Sequence, residues 1–303
     1  MVGWGAPRGR PLTVEVVAIF GPTASGKTAI ASRVADLLAT EVVSADALQV
    51  YRGLRILTNQ PDRPTRLVAI RDLDEEMSVG EYARLAHAAI DELVATRGAA
   101  VVAGGTGLYL RAALCDLEVP PAVAPECRRR LELAYETAPA ATYARLRELD
   151  PAAAARIHPH DRRRVVRALE LAEIGASLAP SRDRLWSGET RRPTLVVGLD
   201  LSPERLEARI RARTETMFER GVVEEVTRAL ERPISRTARQ ALGLREIHEL
   251  PRDEALAAIV ARTLRYAAYQ RKWMRRIPGL VLVDADRPQE EVSRAIVDLA
   301  HAR

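Results

Sequence analysis

Residues Gly21 to Thr28 read Gly-Pro-Thr-Ala-Ser-Gly-Lys-Thr and follow the spacing G-x-x-x-x-G-K-[ST] of a phosphate-binding loop. A loop of this kind turns consecutive backbone N–H groups toward one point. Gly21, Pro22, Thr23, Ala24, Ser25 and Gly26 would form the cradle, Lys27 would bring a charge to the outer phosphates, and the Thr28 hydroxyl would be a ligand for Mg²⁺. The motif also constrains the fold, because it needs a strand before it and a helix after it. Thr13–Phe20 is an apolar, β-branched run that reads as a buried strand, and Thr28–Ala39 has helical periodicity with its positive end at the loop. The chain has only two lysines, Lys27 and Lys272, so a sequence that almost never uses lysine places one where this loop requires it. The motif indicates a phosphate chain without saying which one.

The flanking pattern extends the argument to the whole fold. Glu41–Ala45 reads as a short strand ending at Asp46, and Ser78–Arg97 as a helix with a Ser cap and Glu81 three residues later. Ala99–Ala103 is a strand entering Gly104-Gly105-Thr106-Gly107, after which Leu108–Leu114 resumes as helix. Strands at these intervals imply right-handed βαβ units, so the fold class is α/β with a P-loop NTPase-like parallel sheet flanked by helices. From Asp116 the pattern changes. A proline-rich Val119–Pro125 is followed by Arg/Ala-rich helical sequence and a polar stretch, Pro180–Arg192. This predicts a catalytic core over residues 1–115 and 193–303 with an inserted helical subdomain over 116–192. The core resumes with a strand at Thr194–Leu201, long helices at Glu204–Gly221 and Asp253–Arg276, a strand at Leu280–Asp284 and a helix at Glu290–Ala300.

Composition excludes some classes. No apolar run reaches membrane-spanning length, the first residues lack the apolar stretch of a signal peptide, and Cys115 and Cys127 form neither a metal-type pair nor a disulfide framework. A cytoplasmic protein without membrane attachment, monomeric by default, is expected. The formal charge of +5 is modest, but its distribution is not. Arg262–Arg276 holds six basic residues and no acid, and Arg156–Arg167 holds five arginines against Asp161. Phosphate backbones select such patches, although each also reads as a solvated helix face.

Several residues carry candidate chemistry. Asp46 lies at the C-terminal end of a strand, where open α/β sheets place their ligands. It can be a general base, a Mg²⁺ partner, or a structural carboxylate. Small residues at Gly104-Gly105 would let a ligand approach the backbone, and Thr106 would either orient a reacting group or cap the next helix. Arg209 and Arg213, four residues apart, share a helix face from which one could reach phosphate oxygens. Arg262, Tyr266, Tyr269 and Trp273 form a helical stripe that reads either as core or as a base-stacking platform. His158 and His160 have no further ligands nearby in sequence and are not read as a metal site.

Taken together, GPTASGKT, SADALQVYRG, VVAGGTGLYLRAAL, AARIHPHDRRRVVRALE, RIRARTETMFERGVVEEV, ALGLREI and RYAAYQRKWMRR resemble the tRNA dimethylallyltransferases, in order and over nearly the whole chain. That family moves a five-carbon prenyl group from dimethylallyl diphosphate to N6 of the adenosine just 3′ of the anticodon. The resemblance implies that Asp46 is the base, that Thr106 positions the reacting centre, and that Lys27, Thr28 with Mg²⁺, and Arg213 hold the diphosphate. It assigns contacts with the tRNA anticodon stem-loop to Asp46, Ala47, Leu48, Gln49 and Thr106, to Arg128, Arg163, Arg164 and Arg167, and to Gly243 and Arg245 within Ala241–Glu246. The chain departs from the family pattern at Ala47, commonly Ser, at Leu57–Pro61 in place of G-T-A-K-P, at Thr65–Ala69, and at Ala268-Tyr269 within the Y-A-K-R-Q stretch. Two other readings share parts of this sequence. A phosphate-loop small-molecule kinase would use the loop and the sheet, and a non-catalytic tRNA-binding descendant would use the basic segments without turnover.

Overall fold

The computed structural model describes residues 12–117, 120–121, 123–179 and 187–302. The first eleven residues, part of the Val119–Pro125 segment and most of the polar stretch from Pro180 lie outside the described residues. The chain divides into two compact units, one of Met1–Asp116 with Leu185–Arg303, the other of Leu117–Arg184.

The larger unit opens with β1 (Val16–Phe20), α1 (Lys27–Leu37), β2 (Val42–Ser44), α2 (Val79–Arg97), β3 (Ala100–Gly104) and α3 (Gly107–Leu114). The smaller unit contributes α4 (Pro125–Thr137), α5 (Pro139–Leu149), the single turn α6 (Pro151–Ala154) and α7 (Arg162–Ala172). The larger unit then continues with β4 (Thr194–Asp200), α8 (Pro203–Glu219), α9 (Val222–Leu230), α10 (Leu244–Glu249), α11 (Arg252–Met274), β5 (Val281–Asp284) and α12 (Gln289–Ala302). Helices α4, α5, α6 and α8 each begin with proline, whose fixed φ suits the first helical position and whose missing N–H would have found no partner there.

The five strands form one parallel sheet in the order β2-β3-β1-β4-β5, the α/β arrangement expected from the alternation. All five residues of β1 are buried, as a strand covered on both faces must be, and this is why its sequence is continuously apolar instead of alternating. One face packs Val17, Ile19, Val101 and Val197 against Ile30 and Val34 of α1 and Val292 and Ile296 of α12. On α2, Ser78 accepts a hydrogen bond from the Glu81 N–H at 3.1 Å, the cap expected there.

The predicted helix Glu204–Gly221 stops at Glu219, because Gly221 adopts a left-handed φ of 86° and starts α9 in a new direction. The return to the core also comes earlier than the predicted residue 193. The Arg111 guanidinium donates to the Ser187 carbonyl at 2.7 Å, the Cys115 thiol to the Glu189 carbonyl at 3.1 Å, and the Arg191 N–H to the Leu114 carbonyl at 2.8 Å. These bonds, with the Arg191–Asp116 ion pair at 3.1 Å, tie residues 187–191 to α3.

The smaller unit has its own core, with Leu131 and Tyr135 of α4, Leu146 of α5 and Val165, Val166 and Leu169 of α7. No strand occurs among its described residues. No helix of the described residues is long and apolar enough to cross a membrane.

Candidate active site

The ends of β1, β2 and β3 converge on a cavity of about 120 Å³. Its lining includes Thr23, Lys27 and Thr28 from the phosphate loop, Asp46 and Gln49 after β2, and Arg213 from α8. Tyr266 and Gln270 of α11 also line it. The loop has the shape its sequence promises. Gly26 takes a left-handed φ of 89° immediately before α1, and the Lys27 ammonium folds back to donate to the Pro22 carbonyl at 3.3 Å. Burial pushes the Lys27 ammonium down to about 8, against an upward pull from Asp46 and with a further downward push from Arg213. Burial likewise lowers Arg213, which Asp46 partly offsets. Two buried cations that share only the Asp46 carboxylate as a nearby counter-charge make a candidate site for a further anion.

Arg209 and Arg213 do share a face of α8, and both reach the loop. Arg209 donates to the Ser25 carbonyl at 3.2 Å and Arg213 to the Thr23 hydroxyl at 2.7 Å. Among the described residues, the Arg213 Nε and the Ser25 Oγ are buried without hydrogen-bond partners. An unsatisfied buried donor of a charged group is costly, so this arrangement is expected where a ligand completes it.

Asp46 is fixed by its own chain. Its Oδ1 accepts from the Leu48 N–H at 3.0 Å and the Gln49 N–H at 3.4 Å, which aims the carboxylate and leaves Oδ2 without a hydrogen-bond partner among the described residues. Gln49 lines the cavity, but its amide is committed internally, donating to the Thr58 and Asn59 carbonyls at 3.3 and 2.9 Å and accepting from the Ser44 hydroxyl at 2.9 Å. Ala47 presents its N–H toward the Thr106 oxygen at 3.5 Å, and Leu48 lines the cavity. Thr106 precedes α3 but its hydroxyl makes no cap bond. Nearby, the Tyr266 phenol is raised to about 12, chiefly by burial and the Asp46 charge, with Thr106 and Gln270 pulling it back.

Of the two glycines at β3's end, Gly104 lines the cavity, where its backbone is open to a ligand as expected. The direction a side chain would take at either glycine is filled by the protein itself. A Cβ on Gly104 would stand 2.0 Å from the Ala45 carbonyl oxygen, and one on Gly105 would stand 2.2 Å from Nε2 of Gln270.

The stripe Arg262, Tyr266, Tyr269 and Trp273 runs along the border between buried and exposed faces of α11, so it is neither wholly core nor wholly platform. Tyr266 lines the cavity, Trp273 lies against Gly107, Arg262 pairs with Glu246 at 2.6 Å, and Tyr269 is 55% exposed. Arg265, Lys272, Arg275 and Arg276 face outward beside Tyr269.

The remaining predicted residues are placed as follows. Gly243 takes a φ of 98° at the start of α10 and packs on Leu57 and Ile259, both of which line the cavity. Arg245 is largely exposed and pairs with Glu249 at 3.0 Å. Arg128, Arg163, Arg164 and Arg167 belong to the smaller unit. There Arg128 and Arg167 flank Glu170, which is 1% exposed, with bonds to its Oε2 at 2.7 and 3.0 Å, while Arg163 and Arg164 are exposed.

Two residues that shape the site were not singled out from sequence. Glu225 of α9, buried, accepts from the Ile56 and Leu57 N–H groups at 2.8 Å each and so pins the loop that supplies Leu57, Thr58 and Asn59 to the cavity. Gln270 bridges the phosphate loop and the end of β3. Both lie inside segments that carry the family resemblance, and each is also a polar residue in a helix at the period of its buried face.

Comparison with known proteins agrees with this geometry. The family model described as IPP transferase matches residues 49–277, and the model described as isopentenyl transferase matches residues 14–71. A tRNA dimethylallyltransferase from Salinispora tropica is 39% identical over 93% of this chain and 92% of its own length. One from Symbiobacterium thermophilum is 38% identical over 94% and 96%. Among solved structures, the tRNA isopentenylpyrophosphate transferase of Bacillus halodurans superimposes with a TM-score of 0.67 at 30% identity, covering 94% of this chain and 95% of its own. A eukaryotic dimethylallyltransferase captured acting on tRNA gives a TM-score of 0.71 at 26% identity, covering 89% and 73%. With a phosphate loop following the central strand of a parallel sheet and these relatives along nearly its full length, the chain belongs to the IPP transferase family.

Proposed function

We propose that this chain transfers the dimethylallyl group of dimethylallyl diphosphate to N6 of the adenosine just 3′ of the anticodon in tRNA. The observation that carries the reading is the make-up of one cavity. It combines the cations Lys27 and Arg213 and the Thr28 hydroxyl with the apolar side chains of Leu57, Ile210, Met217, Leu242 and Ile259, and with the Asp46 carboxylate. A donor with an anionic head and a short apolar tail matches that combination.

Adenine N6 is a weak nucleophile because its lone pair is delocalised into the ring. As N6 bonds to the allylic carbon, the bond from that carbon to diphosphate breaks, and the N6 proton passes to Oδ2 of Asp46 as general base. Lys27 and Arg213 stabilise the charge growing on the departing diphosphate. Thr106, facing the Ala47 N–H, positions the reacting centre. The target base must leave its stack to reach a site of this kind.

Mg²⁺ fits the residues present only in part. Thr28 offers one hydroxyl, and among the described residues no cluster of three His, Cys, Asp or Glu could hold the ion alone. Diphosphate oxygens and water would complete its coordination, and it would supply further neutralisation of the leaving group. The reading assigns every role above to residues of one chain and is made for a monomer acting on tRNA in the cytoplasm.

The test is incubation with labelled dimethylallyl diphosphate and an anticodon stem-loop carrying the target adenosine. Label in the RNA is expected, lowered by roughly 10²–10⁴-fold in Asp46→Ala. An unchanged rate in that variant would remove Asp46 from the mechanism. ATP consumption without labelled RNA would indicate a kinase, and RNA binding with neither reaction a non-catalytic descendant.

A further inference from the structure

Gln270 is a neutral side chain within the basic segment Arg262–Arg276, yet it is 2% exposed and satisfied at both ends of its amide. Its Oε1 accepts from the Thr23 N–H of the phosphate loop at 2.8 Å. Its Nε2 donates to the Gly105 carbonyl, at the end of β3, also at 2.8 Å. The two partners lie 247 and 165 residues away in sequence. Gly105 has no side chain where a Cβ would strike Nε2, so the close approach depends on both residues. One turn earlier on α11, Tyr266 lines the same cavity as Gln270. On the other side, Thr23 is held by Arg213.

From this geometry we infer that Gln270 is a positioning residue, a cross-brace that keeps the phosphate loop at a fixed distance from the Gly105–Thr106 end of β3. The inference rests on the proposed prenyl transfer. In that reaction the loop holds the leaving group, while the end of β3, through Thr106 and the Ala47 N–H, holds the segment that carries the base. The two must keep register within a fraction of an ångström, and a displacement of about 1 Å costs on the order of 10² in rate. The brace uses an amide because only a side chain with a donor and an acceptor on one planar group can meet a backbone N–H on one side and a backbone carbonyl on the other. The Thr23 N–H is consequently spent on the brace and not on the phosphate.

Three variants separate the arms. Gln270→Leu keeps the volume and removes both bonds. Gln270→Glu keeps an acceptor for Thr23 and loses the donor to Gly105. Gly105→Ala pushes Nε2 aside while leaving Gln270 in place. Transfer kinetics and amide exchange are measured on each. We expect kcat to fall roughly 30- to 100-fold in all three, with KM for dimethylallyl diphosphate within about threefold of the parent, because the loop still binds but is misplaced. The Thr23 amide should lose protection in Gln270→Leu and retain it in Gln270→Glu. A kcat within threefold of the parent in Gln270→Leu, or a KM that rises in step with the loss of kcat, overturns the inference. Should the parent chain itself transfer no label, the proposed reaction fails instead, and Thr23 exchange decides the brace alone. Unchanged exchange in Gln270→Leu then overturns it.

Discussion

Arg213 and the pair Arg128 and Arg167 carry the same guanidinium into opposite surroundings. In the larger unit, Arg213 is buried beside Lys27, its Nη1 bonded to a neutral hydroxyl and its Nε, among the described residues, bonded to nothing. In the smaller unit, Arg128 and Arg167 share the buried carboxylate of Glu170, which their charges and hydrogen bonds hold below the usual glutamate range against the opposing effect of burial. Arg167 also donates to the Pro121 carbonyl at 2.7 Å. At the cavity, Arg213 keeps a buried donor without a partner among the described residues, as the proposed anionic ligand requires. Charge matched around Glu170 holds α4 and α7 together, and of the four arginines of that unit proposed to meet RNA, Arg163 and Arg164 are the exposed ones. An arginine-rich sequence therefore separates into binding and structural members only when the buried acids are located.

This contrast can be broken by substitution. Arg213→Met should show the largest effect, a loss of roughly 10²–10³ in transfer rate, the range for removing one preorganised electrostatic group. The melting temperature should hold or rise, because an incompletely satisfied buried charge has been removed. A large drop in melting temperature would put Arg213 among the structural arginines. Glu170→Ala should behave in the reverse way. Removing one partner of a buried ion cluster costs about 3 kcal/mol, so the smaller unit should melt earlier or become sensitive to protease, while the single-turnover rate of surviving folded enzyme stays within a fewfold of the parent. Unaltered stability would mean that the cluster contributes no net structure.

The Lys27 ammonium sharpens the comparison through pH. Its folded value of about 8 lies below the ordinary 10.5, so the unfolded chain binds more protons between those two pH values. This group's contribution to stability therefore rises as pH increases from 8 to 10.5, and its full cost is present below 8. Inorganic diphosphate reverses the balance by favouring the ammonium. Binding above pH 8 should take up a proton and weaken as pH rises, about tenfold per unit at most, and calorimetry in buffers of different ionisation enthalpy will show this. Binding without proton uptake at pH 8.5 would mean that Lys27 does not meet the ligand.

The smallest effect is expected on the surface. Arg163→Ala and Arg164→Ala should each weaken tRNA binding fewfold and reduce the slope of log affinity against log salt by about one, with no change in melting temperature. An unchanged slope would leave the exposed arginines of α7 with no role in RNA binding.

What could be read in the sequence was whatever repeats at short range. The phosphate loop, the strand before it and the helix after it follow from eight residues and two flanking periods, and the Ser78 cap follows from Glu81 three positions on. Asp46 was identified because strand ends in α/β sheets carry ligands, and the structure brings it into the same cavity as Lys27. Thr106 was ambiguous between a cap and a site group; its hydroxyl makes no cap bond and faces the Ala47 N–H beside the cavity without lining it among the described residues. Glu225 and Gln270 were not legible, since each reaches a backbone group more than 160 residues away, and no local period records that distance. The short break at Gly221 was missed for a smaller reason, since one left-handed residue redirects a helix without altering its apolar spacing.

The hydrogen bond from the Arg191 N–H to the Leu114 carbonyl, at 2.8 Å, brings together the points where the chain leaves the sheet-bearing unit and returns to it. From the standpoint of that unit, everything between them is a detour with almost no net displacement. Closing such a detour costs entropy that grows only with the logarithm of its length, about 0.6 kcal/mol for each doubling. The sheet would therefore tolerate an excursion of very different size at this point. The helical unit could be lengthened, shortened or exchanged while the fold that carries the cavity kept nearly the same stability.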